Sequence, residues 1–457
     1  MRIHRTHRIR LAALLPLLVA GCGGGTDAEV RTIRFWAMGR EGEVVEALVP
    51  EFERRNPGIR VEVQQIPWTA AHEKMLTAFV GDATPDVAQL GNTWVPEFQA
   101  LNALEPLDAR AAASPSTPRA DYFAGIWDTN VIGGRTYGLP WYVDTRVLFY
   151  RPDLMAAAGY PQPPRTWAQW VDAMRKMKAR MGPNQHPILL PTNEWPQPVI
   201  LGMQSGGTLL RDGGRYGDFS NADFRRGFDF YVGLFREGLA PRVSASEISN
   251  RYQEFERGNV GMVITGPWEI GEFGTRVKGA PWATAPLPGP DGPGVSLAGG
   301  ASLVLFRGSR QKDAAWKFIE FLSEPAQQVR FYELTGDLPA RRSAWRSPVL
   351  AQNRHAAAFR GQLDRVVPLP KVPESEQIVN KVFEQGERAV RGQATVEQAL
   401  RTLDGEVDRL LEKRRWMLDR AERDAAGGGA GISGRGCCHA RDMTEHYRYP
   451  QQRHDFY

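Results

Sequence analysis

Along this chain, aromatic rings recur within a few residues of acids or amides: Trp36 with Glu41, Gln65 with Trp68, Asn92 with Trp94, Trp141 and Tyr142 with Asp144, Asn193 and Glu194 with Trp195, and Trp268 with Glu269. The pairing has a specific chemistry. A pyranose offers flat C–H faces that stack on indole and a rim of hydroxyls that carboxylates and amides hold by hydrogen bonds. Most of these pairs fall at the ends of expected strands, where α/β proteins form ligand sites. Together they point to a sugar site. Taken singly, each ring could equally anchor a core, as the helical Trp167, Trp170 and Trp316 do by their spacing.

Signatures of covalent or metal chemistry are missing. The chain has no Gly-x-x-x-x-Gly-Lys loop, no Gly-x-Ser-x-Gly elbow, and no second histidine after His72-Glu73. His72, His186 and His355 are the only histidines of the periodic body and read as surface or satisfied core residues. Gly429-x-Gly431-x-x-Gly434 copies a dinucleotide fingerprint, but no strand precedes it and no helix follows, so it reads as linker. Cys437, Cys438, His439 and His446 fit no standard zinc spacing, and adjacent cysteines chelate poorly. No cofactor and no metal are expected.

The start of the chain speaks to location. Arg2, Arg5, Arg8 and Arg10 precede an apolar run from Leu11 to Ala20, about half of the roughly 20 residues a spanning helix needs. It reads as a signal peptide over residues 1–21 rather than a membrane span. Leu18-Val19-Ala20-Gly21-Cys22 is similar to the lipobox of bacterial lipoproteins, which implies lipidation at Cys22, anchoring by more than one acyl chain, and an extracytoplasmic body at the periplasm or cell surface. Residues 22–29 read as a flexible tether. Removing residues 1–21 deletes four arginines and no acid, so the formal charge falls from +5 to +1 and implies no nucleic-acid partner. The body lacks cysteine, so its core must hold it together without disulfides.

Hydrophobic periodicity then supplies the elements. Ile33 and Phe35 read as a strand; Val44, Val45, Leu48, Val49 and Phe52 as a helix stopped by Asn56-Pro57-Gly58; Ile59, Val61 and Val63 as a second strand. A helix through Met75, Leu76 and Phe79 and a buried strand from Pro85 to Leu90 complete a strand–helix alternation that implies a parallel α/β sheet. Further on, Thr166 with Gln169 opens a helix, Ser220 caps another bearing Phe224, Phe228, Tyr231 and Phe235, and Val260, Met262 and Ile264 form a strand running into Gly266-Pro267-Trp268. Strand pattern returns at Leu303 and Leu305, followed by helices at 311–322, 378–390 and 395–416. The aperiodic segment 422–457 reads as a disordered tail.

From Val30 to Trp345 the chain also resembles the extracellular solute-binding proteins of carbohydrate ABC importers, a family that includes maltose- and trehalose-binding proteins. The resemblance is carried by Glu51-Phe52-Glu53-x-x-Asn56-Pro57-Gly58-Ile59, Pro85-Asp86-Val87, Tyr137-Gly138-Leu139-Pro140, Val147-Leu148-Phe149-Tyr150-Arg151, Gly261-Met262-Val263-Ile264 with Gly266-Pro267-Trp268, Gly299-Gly300, and Ala314 to Leu322.

That resemblance implies a two-lobe α/β clamshell, each lobe a mostly parallel sheet flanked by helices, with three hinge crossovers near Val143, near Ala298 and between Gly336 and Ala340. Lobe 1 would comprise 30–143 plus 299–338, and lobe 2 144–298 plus 339–421. It implies that Trp268 stacks on a sugar ring, that Tyr142 and Asp144 line the cleft, and that Glu41, Asn92, Gly299, Gly300 and Arg341 contact ligand. With the aromatic pairs, the candidate site is Trp36, Glu41, Gln65, Trp68, Asn92, Trp94, Trp141, Tyr142, Asp144, Glu194, Trp195, Trp268, Glu269, Gly299, Gly300 and Arg341. The number of aromatics favours an oligosaccharide over a monosaccharide. The implied partners are that sugar and the permease subunits, with the binding protein a monomer and not an enzyme. The alternative is a secreted glycoside hydrolase, which needs two carboxyl groups about 5 to 10 Å apart across the scissile bond.

Overall fold

The computed structural model of the protein describes residues 30–427 apart from Ser249. The expected signal peptide, Cys22, the tether, and the segment with Cys437, Cys438, His439 and His446 lie outside the described residues. Within them, no helix is long and apolar enough to cross a membrane.

Two sheets form the lobes of a clamshell. The first contains β1 (Arg31–Met38), β2 (Ile59–Ile66), β3 (Val87–Gly91), β4 (Leu139–Asp144), β9 (Gly299–Leu305) and β10 (Leu338–Pro339), in the order β10-β4-β9-β3-β1-β2. The second contains β5 (Val147–Tyr150), β6 (His186–Leu189), β7 (Val260–Thr265) and β8 (Ala283–Ala285), in the order β8-β5-β7-β6. β1 lies parallel to both neighbours, with Phe35 opposite Val63 on one side and Val87 on the other.

The sheets are mixed rather than mostly parallel as expected: antiparallel pairings outnumber parallel ones in both. β9 runs antiparallel to β3 and β4, and β5 antiparallel to β7 and β8. The reason is the hinge. Strands such as β1, β3, β6 and β7 end at the edge facing the other lobe, so a strand arriving from that lobe through a few residues must start at that edge and run the opposite way.

Alternation along each strand splits its side chains between two cores. Ile33, Phe35 and Ala37 enter the core under the helices Val49–Arg55 and Lys312–Ser323, where Phe318 packs edge-on to Phe35 at 5.3 Å and to Phe52 at 5.0 Å. Trp36 and Met38 enter the opposite core with Ile66 and Met75. In lobe 2, Leu148 and Tyr150 face Trp170, Met174, Phe228 and Tyr231, while Val147 and Phe149 face Phe255 and Phe273.

The helix ends show which local signals decide. Thr166 caps Trp167–Lys178 by accepting the Gln169 N–H at 3.2 Å. The helix Ala222–Arg236 is capped by Asn221, not Ser220: Asn221 Oδ1 accepts the Phe224 N–H at 2.8 Å, while the Ser220 N–H is taken by Asp404 from another helix. The first expected helix is two, Gly39–Val45 and Val49–Arg55, and the C-terminal helix Glu412–Gly427 runs past the expected start of the tail.

The chain crosses between the sheets at Thr145–Arg146 and again at Ala298. The third crossing is later than the resemblance implied. β10 still pairs with β4, Arg341 is tied to Asp121, and Asn353 donates to the Tyr332 hydroxyl at 2.8 Å, all in lobe 1. Two residues on, His355 stacks on Trp282 of lobe 2 at 3.6 Å, and the helix Ala356–Gln362 packs against β5 and β8. Residues 339–353 therefore belong to lobe 1.

Candidate functional site

Between the facing sheet edges opens a cleft of about 510 Å³. Its lobe 1 wall is a hydrogen-bonded network. β1 gives way at once to the helix Gly39–Val45, which places Glu41 over the strand end. Tyr142 on β4 donates its hydroxyl proton to Glu41 Oε1 at 2.7 Å and accepts from Gln89 Nε2 at 2.9 Å; Gln89 Oε1 accepts the Met38 N–H at 2.8 Å. Trp68, at the start of the helix after β2, donates weakly to Glu41 Oε2 at 3.5 Å. It also stands edge-on to Trp94 at 5.7 Å. Burial, then Glu41 and Asp337, push the Tyr142 hydroxyl well above its ordinary range, so it stays a proton donor.

The hinge strand is held close to β9 by glycine. Gly300 has φ +125°, and a Cβ there would sit 2.2 Å from the Tyr142 carbonyl oxygen. The Gly300 carbonyl accepts the Asn92 N–H at 3.1 Å, and Ser302 Oγ donates to Asn92 Oδ1 at 2.9 Å. Asn92 Nδ2 remains buried without a partner, a spare donor beside the cleft.

Two further carboxyls complete this wall. Burial raises the Asp144 carboxyl against the opposing pull of Arg146, with which it forms an ion pair. Asp337, between the helix Pro325–Thr335 and β10, is pushed up to about 8 by burial, then by the charge of Glu41, with Asp144 adding and Thr335 opposing.

The lobe 2 wall is aromatic and apolar. Trp268 follows β7 and is 39% exposed, and the turn before it is tight: a Cβ at Gly266 would fall 2.2 Å from the indole. The Arg146 guanidinium lies 4.6 Å from the Trp268 ring centroid. Trp195, Leu297 and Leu369 extend the wall. Glu376, opening the helix Ser375–Val390, accepts from the Thr93 hydroxyl and so bridges the two lobes.

Of the candidate residues, Glu41, Trp68, Asn92, Trp94, Tyr142, Asp144, Trp195, Trp268, Gly299 and Gly300 come together here. The others do not. Trp36 precedes the end of β1 and points into the core beneath Lys74. Trp141 is 1% exposed and stacks on Phe331 at 4.2 Å; it sits where the register between β4 and β9 shifts and shares a core with Tyr142, whose ring lies 6.1 Å from Phe331, but only Tyr142 also reaches the cleft lining. Gln65 is exposed near the end of edge strand β2, away from the cleft lining. Arg341 is buried in lobe 1, donating to Asp121 at 2.6 Å and to the Ser323 carbonyl at 3.0 Å. Glu194 lines a separate lobe 2 cavity of about 290 Å³ with Arg251, Tyr252 and Arg276, and Glu269 is buried against Arg251.

Sequence reasoning missed Arg40, Thr93, Arg146, Leu369, Asp337 and Glu376 on the cleft lining. For Asp337 the signal was available: Gly336, left-handed at φ +84°, ends a helix, and the acid after it precedes a strand entering the lobe 1 sheet. Leu369 and Glu376 carried no local signal. Among the described residues, no group of three His, Cys, Asp or Glu side chains could hold a metal ion.

Comparison with known proteins places this geometry. Residues 38–329 match the family model described as bacterial extracellular solute-binding protein. The chain is 50% identical to a solved structure described as the sugar-binding protein MalE from the phytopathogen Xanthomonas citri, with a TM-score of 0.83, covering 85% of this chain and 99% of that one. A putative binding protein of Brucella abortus is 25% identical over 88% of this chain and 98% of its own length. The diacetylchitobiose binding protein DasA of Streptomyces coelicolor is 24% identical over 77% and 86%.

Proposed function

We propose, from the premise that this chain belongs to the bacterial extracellular solute-binding protein family, that its cleft takes a maltose- or trehalose-like oligosaccharide and delivers it to the permease of an ABC importer. The protein is a sugar-binding component of this importer type and works outside the cytoplasm. One observation carries the ligand class. A wall bearing Trp195 and Trp268 faces a wall of Glu41, Asn92, Tyr142 and Asp337, which pairs stacking surface with hydroxyl-binding groups across one gap.

Division between lobes supplies the mechanism. A sugar touching one wall gains half its contacts, and the rest form only when the lobes close, so its differential affinity for the closed state shifts the population toward it. The Thr93–Glu376 bond already joins the two walls. Glu41 has each oxygen facing a protein donor, Tyr142 or Trp68, so its orientation is fixed. In this reading the protein binds and releases its sugar without chemistry, and anchoring through Cys22 keeps it beside the permease.

Titration calorimetry against maltose, trehalose, maltotriose and glucose tests the reading. An oligosaccharide binds more tightly than glucose, and its addition shrinks the radius of gyration in small-angle scattering. Absence of heat with every sugar, or sugar release over time, overturns it.

A further inference from the structure

The three acids around Tyr142 do not share one situation. Asp144 is paired with Arg146, and Glu41 accepts from Tyr142 and Trp68. Asp337 lines the same cleft; its N–H donates to Thr335 Oγ1 at 2.9 Å and its carboxyl also meets the Thr335 hydroxyl, yet the carboxyl forms no ion pair among the described residues. Its electrostatic neighbours are Glu41, Tyr142 and Asp144. The remaining charges of the cleft are Arg146, committed to Asp144 and Trp268; Arg40, beside Glu43; and Glu376, across the gap with Thr93.

We propose that Asp337 meets the sugar as a neutral carboxylic acid and donates its proton to a ligand oxygen, making it a specificity-determining residue of the cleft. This rests on the sugar reading above. On this wall the Tyr142 proton is already given to Glu41 and carboxylates only accept, so a protonated Asp337 adds a second donor beside the spare Asn92 amide. A buried carboxyl held beside a negative neighbour keeps its proton, and its position near 8 leaves it mostly protonated at neutral pH. A hydrogen bond that requires this proton raises the carboxyl further on binding, so binding takes up protons when the free protein has begun to lose them.

Calorimetry of the full protein with maltose from pH 6 to 9.5, in phosphate and in Tris, tests this. Trehalose replaces maltose if maltose gives no heat. Affinity is expected to be level below about pH 8 and to fall about tenfold per unit above it, with proton uptake appearing as a buffer-dependent heat. Asp337→Ala weakens binding about tenfold or more at pH 6.5; Asp337→Asn, which keeps a donor, restores most of that loss and removes the alkaline fall. A level profile in the unaltered protein, an equal fall in Asp337→Asn, or proton release overturns the inference alone. If neither sugar binds at pH 6.5, the sugar reading falls and takes this inference with it.

Discussion

On the lobe 1 wall, Met38, Gln89, Tyr142 and Glu41 are joined by hydrogen bonds of 2.7 to 2.9 Å, all buried. Across the cleft, Trp268 is 39% exposed and is held by a tight turn and the Arg146 guanidinium. A fixed polar network sets direction, since hydrogen bonds demand angle, while a ring platform supplies area and tolerates rotation of what stacks on it. Placing the two on separate lobes makes the full set of contacts conditional on closure.

The strongest way to break this contrast is to truncate one tryptophan from each region. Trp141→Ala removes a core ring stacked on Phe331 and is expected to cost about 3–5 kcal/mol of stability in urea unfolding. Trp268→Ala is expected to cost about 2–4 kcal/mol of binding, roughly 30- to 1000-fold in Kd, while the melting temperature holds. If Trp268→Ala binds normally and melts early, the platform reading is wrong.

Glu41→Ala attacks the polar wall and leaves the buried Tyr142 hydroxyl without its acceptor. A loss of about 1–3 kcal/mol is expected, and it should appear in both calorimetric affinity and stability. Loss confined to affinity would mean the network is not part of the lobe's own packing.

Asp337 sharpens the same comparison through pH. Its carboxyl stands at about 8 when folded against an ordinary 3.8. The native state thus holds more protons than the unfolded chain between these values, so the stabilising contribution is complete below about 4 and is lost as pH rises toward 8. Melting temperatures of the unaltered protein and Asp337→Asn should converge near pH 4 and separate toward pH 8, with Asp337→Asn higher; parallel curves would deny the burial cost. The smallest effect is expected at the bridge between the walls. Thr93→Val removes the bond to Glu376 and should weaken sugar binding by about 0.5–1.5 kcal/mol, with a larger radius of gyration at subsaturating sugar as the check.

Much of the scaffold could be read locally. Strands β1, β2 and β7 follow from alternating apolar residues, and the helix opening at Thr166 from its capping signal. Cleft-lining residues near strand ends were legible at Asn92, Tyr142 and Trp268, but the same signal misled at Trp36 and Gln65. Errors came from residues whose surroundings only the fold decides. Trp141 and Tyr142 look alike as a pair and pack against the same Phe331, yet only Tyr142 also reaches the cleft lining; Glu194 and Trp195, just before a helix, divide between two cavities.

The amino-acid sequence by itself determined the α/β alternation, the absence of disulfides from the body, and the aromatic and acidic groups on offer, because propensity, periodicity and composition act over a few residues. Tertiary structure alone decided that Asp337 sits beside Glu41, nearly 300 positions away, that Glu376 meets Thr93, that Arg341 is a brace of lobe 1, and that the third crossing waits until His355. Such outcomes depend on which faces two sheets turn toward each other. A carboxyl acquires its burial and its charged neighbours only when the chain has returned through the hinge.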